Sequence, residues 1–443
     1  MKDFGPGVPW IEGNTLFRFP SELTDTFEKK GPSSKGKGVF FNPAMSSPRT
    51  RSVLVLDKCI EEGWLGNKNI RILDMLTGIS ARPRRWLNES NHAEKLIITA
   101  NDLSINSLEL GAYNHALYPP KKGVLKFTNN DAKKDFEKGY QWIDIDPFGS
   151  PVAFLSTAMK ALGRKGVLAI SATDAAALRG RAQGACSRRY GSQIRPGPMS
   201  QELGLRALLA WIARVAAQYD RIIQPLLSAC DDHYLRVTVL VSKKPSKASF
   251  WRENIGWWVD EPEKNDVCKS LFWRKEIKSL PLRIILPWHN PPSSIDERVS
   301  GPIWIGQLND NAIFSKFCSN NFLEQCGLTT NTKNTEKNKR IKKVINEMQM
   351  NEDEISVYNK NLVRQVSPWF NMENIPNFTI FFGTDELAKY LKLSGPPKIS
   401  EIVSKITNSS YYAAPGPYSK PGIITNAPWD VIEKIFKLSN HRI

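Results

Sequence analysis

Across the first 245 residues, short apolar runs alternate with longer stretches of mixed, helix-like pattern. The runs Ile70–Leu73, Leu96–Thr99, Gln141–Ile145, Gly166–Ser171 and Leu235–Val241 predict strands. The stretches Ser104–Ala116, Pro151–Leu162 and Ser200–Ala217 between them predict helices. Strand–helix–strand alternation at this spacing predicts a doubly wound, Rossmann-like α/β sheet, with Leu235–Val241 as its closing strand. After Lys243 the pattern changes. Trp251, Trp257, Trp258, Trp273, Trp288 and Trp304 crowd a stretch rich in proline and charge, where they read as core rather than as base-stacking platforms. Short helical patterns at Glu386–Lys392, Ser400–Ile406 and Pro428–Leu438 flank a Gly/Pro/Tyr-rich loop. A chain of 443 residues is too long for one core, and the sequence predicts two domains, 1–245 and a smaller α+β domain over 246–443.

Charge narrows the class of partner. Sixty-one Lys+Arg against 44 Asp+Glu leave +17, a surplus that favours a polyanion. No run approaches the ~20 apolar residues of a spanning helix. The opening residues lack the basic-then-apolar layout of an export signal, so no membrane association is expected. Six scattered cysteines without a CxxC fit a reducing cytoplasm and offer neither a disulfide framework nor a metal site. Of these, Cys186 and Cys230 read as buried apolar fillers. Nucleic acid is the leading partner. Within 177–197, Arg179, Arg181, Arg188, Arg189 and Arg195 occur without an acid, as either a phosphate grip or a solvated loop. The run NTKNTEKNKRIKKVI at 331–345 is either a solvated helix start or an RNA-contacting insertion.

Three successive strand ends close on an acid. RILDMLTGISARPRRW delivers Asp74, then a turn containing Gly78, then a basic helix start; KLIITAND ends on Asp102; NNDA at 129–132 presents Asp131. Ligands bind at the carboxyl edge of such sheets. Gly78 accepts positive φ and close backbone approach, Asp102 suits the ribose hydroxyls of a nucleoside, and Asp131 suits an adenine amine. A dinucleotide-binding dehydrogenase would require a denser glycine loop.

The string W-I-D-I-D-P-F-G-S-P at 142–151 carries the acceptor chemistry. It resembles the N-P-P-Y tetrad of amino-methyltransferases, with Asp146 in place of the amide. Guanine offers N1–H and a 2-amino group side by side, two donors that an acceptor-only carboxylate takes together. Such a carboxylate can also take up the positive charge that develops on the amine.

The chain resembles the tRNA (guanine-26, N2)-dimethyltransferase family nearly end to end. The strings are Phe40-Phe41-Asn42-Pro43-Ala44-Met45 with Arg49, DPFGSP, TDAAALRG at 173–180, Cys-x-Arg-x-Tyr-Gly at 186–191, QELGLR, DDHYLRV, GPIWIG and PGIITNAP. The resemblance implies a class I methyltransferase that uses S-adenosyl-L-methionine on tRNA. It implies Asp146 as catalytic carboxylate and Phe40 and Phe148 as a clamp on the base. Arg49, Arg82, Asp102, Asp131 and Ala132 would line the cofactor pocket; Asp74 is added from the spacing. Arg179, Arg181, Arg188 and Arg189 are expected on RNA. The chain departs from the family's D-A-L-x-A-T/S-G-I-R donor loop, its glycine standing two positions earlier, and has Thr50 where the family often has Asp. Guanine-N2 methylation elsewhere in RNA, and a non-catalytic RNA-binding protein on the same fold, are the alternative readings.

Overall fold

A computed structural model of the chain describes residues 4–5, 7–24, 39, 41–231, 234–292, 298–317, 321–328, 336–370, 372, 375–376, 380–418 and 421–440. Its centre is a seven-stranded sheet of β1 (Ile70–Asp74), β2 (Leu96–Asn101), β3 (Val124–Thr128), β4 (Tyr140–Ile145), β5 (Leu162–Ala172), β6 (Arg221–Asp231) and β7 (Tyr234–Lys243). The order is β3-β2-β1-β4-β5-β7-β6. The pairs β3–β2, β2–β1, β1–β4 and β4–β5 are parallel, and β7–β6 is antiparallel. Strands β1 and β4 are buried along almost their whole length, as parallel strands covered on both faces must be. The doubly wound sheet is as expected, with one correction. Leu235–Val241 lies inside the sheet, and the edge is β6, which the apolar pattern did not reveal. The expected helix Pro151–Leu162 is a 3₁₀ turn at Pro151–Ala153, an α-helix at Leu155–Ala161, and then strand from Leu162.

The chain divides into two compact units, and they do not part at residue 245. One comprises Met1–Asp146, Ser156–Ile170 and Ala312–Phe370; the other Pro147–Leu155, Ser171–Asn311 and Asn371–Ile443. In the first, helices α1 (Ser46–Glu61), α2 (Ala81–Glu89) and α3 (Ile105–Leu117) accompany β1 to β4. An antiparallel hairpin, Val8–Glu12 with Thr15–Phe19, packs Ile11 and Leu16 against Ile341, Val344 and Ile345 of α4 (Glu336–Glu347) and Ile355 of α5 (Glu352–Val366). The Tyr358 hydroxyl donates to the Gly13 carbonyl at 3.1 Å, and Arg51 donates to the Gln365 carbonyl at 3.0 Å. Late chain thus completes an N-terminal core, because amphipathic α4 and α5 need an apolar surface and the hairpin supplies one.

The second unit carries two three-stranded antiparallel sheets. Ile255–Asp260 pairs with Arg283–Pro287 and Val299–Trp304, and Gly422–Thr425 pairs with Ile380–Gly383 and Ala413–Pro415. Trp257, Trp258 and Trp304 are core, as expected, whereas Trp273 is 81% exposed and is not. Arg283 is fully buried among Asp260, Glu386 and the Phe381 carbonyl, which joins the two small sheets. No helix among the described residues is long and apolar enough to cross a membrane.

Candidate active site

The acids predicted at strand ends share one edge of the first unit, because β1, β2 and β3 run parallel. What locks that edge is Asn101, a buried amide just before Asp102. Its Nδ2 donates to the carbonyls of Met75 and Asn130 at 3.0 and 2.9 Å, and its Oδ1 accepts from Thr128 and from the Asn130 amide. One side chain thereby ties three strand ends. Gly78 adopts φ 56°, a conformation glycine takes without strain. Its amide donates to Asp102 Oδ2 at 2.7 Å, and the other Asp102 oxygen accepts from the Ser104 amide at 2.8 Å. The turn after β1 is therefore fastened to the end of β2. Asp131 makes a short turn, accepting from the Lys133 amide at 2.9 Å, and Ala132 beside it is buried.

Arg82, in the first turn of α2, reaches back to the end of β4. It is 4% exposed, donates to Asp146, lies 3.4 Å from Asp144 through Nε, and donates to the Pro48 carbonyl at 3.3 Å. The earlier glycine of the loop leaves this reach intact. Asp144 lies in β4 and Asp146 just past its end, two positions on, and both carboxylates meet the same guanidinium. Asp74 completes the cluster. Burial, and then the adjacent Asp144 carboxylate, push it up to about 7, although Arg82 and a 2.8 Å hydrogen bond from Thr77 oppose this. Three carboxylates thus surround one arginine, which they hold firmly protonated.

Arg49 is spoken for elsewhere. It forms a two-point pair with Glu12 at 2.6 and 2.5 Å, donates to the Asn42 carbonyl at 2.9 Å and lies over the Phe41 ring at 5.1 Å. The two guanidiniums of Arg49 and Arg85 hold Glu12 below the usual carboxylate range against its burial. Arg49 is next in sequence to Pro48, the residue that accepts from Arg82.

In the second unit, Phe148 is 55% exposed, an aromatic face presented to solvent directly after Pro147. Gly149, at φ 84°, turns the chain, and Thr173 fixes that turn by accepting from the Gly149 amide at 2.5 Å and donating its own amide to the Gly149 carbonyl at 3.0 Å. Ser150, Tyr190 and Asp174 form a chain of hydrogen bonds at 3.0 and 2.7 Å, with Arg189 3.1 Å from Asp174. These residues come from DPFGSP, TDAAALRG and the Cys-x-Arg-x-Tyr-Gly string. Sequence reading found the strings but not their mutual bonding. Arg181, Arg188 and Arg189 are exposed, whereas Arg179 turns inward to the Asp231 carbonyl at 2.8 Å, and Arg195 pairs with Asp260 at 3.0 Å. Cys186 is buried and its thiol is pushed up to about 12; Cys230 is only partly buried, 3.5 Å from Arg179. Phe40 lies outside the described residues.

A family model described as "N2,N2-dimethylguanosine tRNA methyltransferase" matches residues 21–368. The chain is 35% identical over 280 residues to the tRNA (guanine(26)-N(2))-dimethyltransferase of Pyrobaculum islandicum, covering 63% of this chain and 70% of that one. It is 27% identical to the enzyme of the same name from Methanobrevibacter smithii over 429 residues, 96% of each. A solved structure of Trm1 from Pyrococcus horikoshii with S-adenosyl-L-methionine superposes with TM-score 0.71 at 24% identity, over 97% of this chain and 99% of that one, a likeness of fold.

Proposed function

We propose, from the premise that the chain belongs to the N2,N2-dimethylguanosine tRNA methyltransferase family, that Asp146 is the carboxylate on which its reaction turns. The protein transfers methyl groups from S-adenosyl-L-methionine to the N2 amine of guanosine 26 in tRNA. The observation that carries the residue assignment is the buried guanidinium of Arg82 against Asp146. An adjacent guanidinium favours the charged form of a carboxyl group, and an ionised carboxylate accepts from both N1–H and the 2-amino group of guanine.

The donor set fits the cofactor. Asp102, fixed by the Gly78 amide, keeps lone pairs for ribose hydroxyls; Asp131 and Ala132 suit the adenine. The carboxylates at Asp74, Asp144 and Asp146 outnumber Arg82, an imbalance suited to a ligand with a sulfonium and an ammonium. The buried Ser80 hydroxyl on the same loop has no hydrogen-bond partner among the described residues. S-adenosylmethionine supplies an electrophilic methyl on sulfur.

The rest is the work of this chain. Asp146 orients the amine, whose lone pair is otherwise drawn into the ring, and accepts the proton that N2 sheds once it is alkylated. Arg82 keeps Asp146 aimed throughout. Phe148, held out by the Thr173-braced turn, offers a ring face to the base, and the family resemblance assigns Phe40 the other half of the clamp. Arg49 contributes through Glu12 and the wall beside Arg82. Arg181, Arg188 and Arg189 neutralise phosphates.

The test is mass analysis of nucleosides from a tRNA transcript incubated with protein and S-adenosylmethionine. N2-methylated and N2,N2-dimethylated guanosine are expected, and a transcript with adenosine at position 26 should gain neither. Methylation at a ring nitrogen instead of the exocyclic N2 would overturn the assignment.

A further inference from the structure

On the first unit, away from the carboxylate cluster, a cleft of about 380 Å³ opens between the end of α2, the loop joining α3 to β3, and α4. Lys121, Lys122 and Arg340 stand exposed around it, and the buried side chains of Leu16, Leu87 and Ile341 line it. Asn88 and Tyr118 add polar groups. A charged rim over an apolar lining is the shape complement of a nucleotide, whose phosphate is anionic and whose ribose and base present apolar faces.

Two further observations favour an anion here. Arg84 is wholly buried, and its Nε and Nη1 have no hydrogen-bond partner among the described residues; its Nη2 donates at 3.5 Å to the carbonyl of Tyr118, a residue of the cleft wall. Burial lowers this arginine to about 9, so at neutral pH it still carries its charge, with the guanidinium 4.6 Å over the Phe17 ring. The second is the composition of α4. Ile341, Val344 and Ile345 face the core, while Lys339, Arg340, Lys342 and Lys343 are exposed, so the helix presents a basic ridge beside the cleft. Among the described residues, the carboxylate paired with a rim cation is Glu94, 3.4 Å from Lys122 and itself largely exposed.

We propose that this cleft and the ridge of α4 form a second RNA-contact surface, which seats a nucleotide of the bound tRNA and pairs its flanking phosphates with Lys121, Lys122 and Arg340. Lys121 and Lys122 precede β3, whereas Asp74 and Asp102 stand at or just beyond the opposite ends of strands parallel to it. A five-residue strand separates the two edges by ~17 Å. A tRNA is large enough to span both, so the surface holds the tRNA body while one base enters the site. It rests on the function proposed above and extends it to a part of the chain that no methyl-transfer residue occupies.

The experiment uses the full-length protein with Lys121→Ala, Lys122→Ala and Arg340→Ala combined, and separately Arg340→Glu. These side chains are exposed, so unfolding midpoints and S-adenosylmethionine titrations should match the parent and serve as the folding control. Binding to tRNA, measured against salt, should weaken at least tenfold at moderate ionic strength. The slope of log affinity on log salt should fall by about 2–3 in the triple variant and by about 1 in Arg340→Glu, near one for each phosphate that is no longer neutralised. In steady-state assays the loss should appear in KM for tRNA rather than in kcat. Unchanged affinity and slope in both variants would overturn the proposal. So would tight binding of adenosine monophosphate by the parent that the variants lose, since the cleft would then serve a free nucleotide. A parent protein that binds tRNA but forms no N2-methylguanosine would count against the function proposed above and leave this surface standing.

Discussion

Replacing Arg82 with methionine removes the cation of a buried cluster while keeping its bulk. Asp144 lies 3.4 Å from the guanidinium, Asp146 is in direct contact, and Asp74 is close enough for its ionisation to be shifted by both. At an effective dielectric near 20, one such pair at that distance is worth about 5 kcal/mol of gross attraction. Breaking a buried pair from one side costs about 3–5 kcal/mol net, because the stranded charge remains. That is a large share of the stability of an ordinary domain. The carboxylates can relieve the cost by taking up protons, which fixes the pH dependence. Without Arg82, their folded-state affinities for protons rise above the unfolded values, so the folded variant holds protons that the unfolded chain has released. Its stability is then highest in acid and falls as pH rises past the unfolded carboxylate range. Urea denaturation of parent and variant at pH 5.5 and pH 8 tests this, and the gap should be about 1–2 kcal/mol at the lower pH and about 3–5 at the higher. An equal gap at both pH values would refute the account of Arg82 as counter-ion to the cluster. Arg82→Lys should recover part of the stability but little turnover, since an ammonium cannot hold both carboxylates in the guanidinium's geometry.

Three other outcomes follow from the same site. Asp146→Asn should preserve fold and S-adenosylmethionine affinity while lowering methyl transfer roughly 100-fold or more, the low end of lost acid–base assistance; single-turnover assays with tRNA would show it, and near-normal rates would remove Asp146 from the reaction. Phe148→Ala should weaken productive tRNA binding by ~1–3 kcal/mol, the worth of one base–aromatic stack, with cofactor titrations unmoved; an unchanged KM would exclude the ring from the clamp. Because Asp74 in the free protein is raised to about 7 by burial and by Asp144, a cationic cofactor that favours its ionised form should bind several-fold more tightly at pH 7.5 than at pH 6. Calorimetry across that range should show the trend in the parent and its loss in Asp74→Asn.

Much of this site was legible because its residues follow local rules. Strand ends in a parallel sheet collect at one edge, so three acids closing three apolar runs were bound to fall on the same edge. Asp144 carried a signal that went unused: in I-D-I-D, positions two apart share a strand face, so an acid two before Asp146 belonged beside it. The bonds between Glu12, Arg49 and Arg85 carried none, since they join residues 37 and 73 positions apart in a buried cluster that no periodicity encodes. The edge strand Arg221–Asp231 was hidden by Pro225. A proline within an apolar run reads as a breaker, yet it costs little on an edge strand or at a bulge, and the register of this strand shifts beside that proline. The division into two compact units is hidden from composition for a related reason. Composition changes at residue 245, but packing depends on which later helices offer an apolar face to the hairpin.

Those later helices bear on how the protein is made. Val8–Glu12 and Thr15–Phe19 are synthesised more than 300 residues before Ile341, Val344, Ile345 and Ile355, which cover Ile11 and Leu16. At cellular rates of ~5–20 residues per second, the 125 residues from 246 to 370 alone take roughly 6–25 seconds. During that interval the nascent N-terminal hairpin has an uncovered apolar face, and it is a natural client for a chaperone. A gene fragment ending near residue 245 keeps every acid of the donor edge and still inherits the same exposed face permanently, so its aggregation would report on missing cover and say nothing about its chemistry.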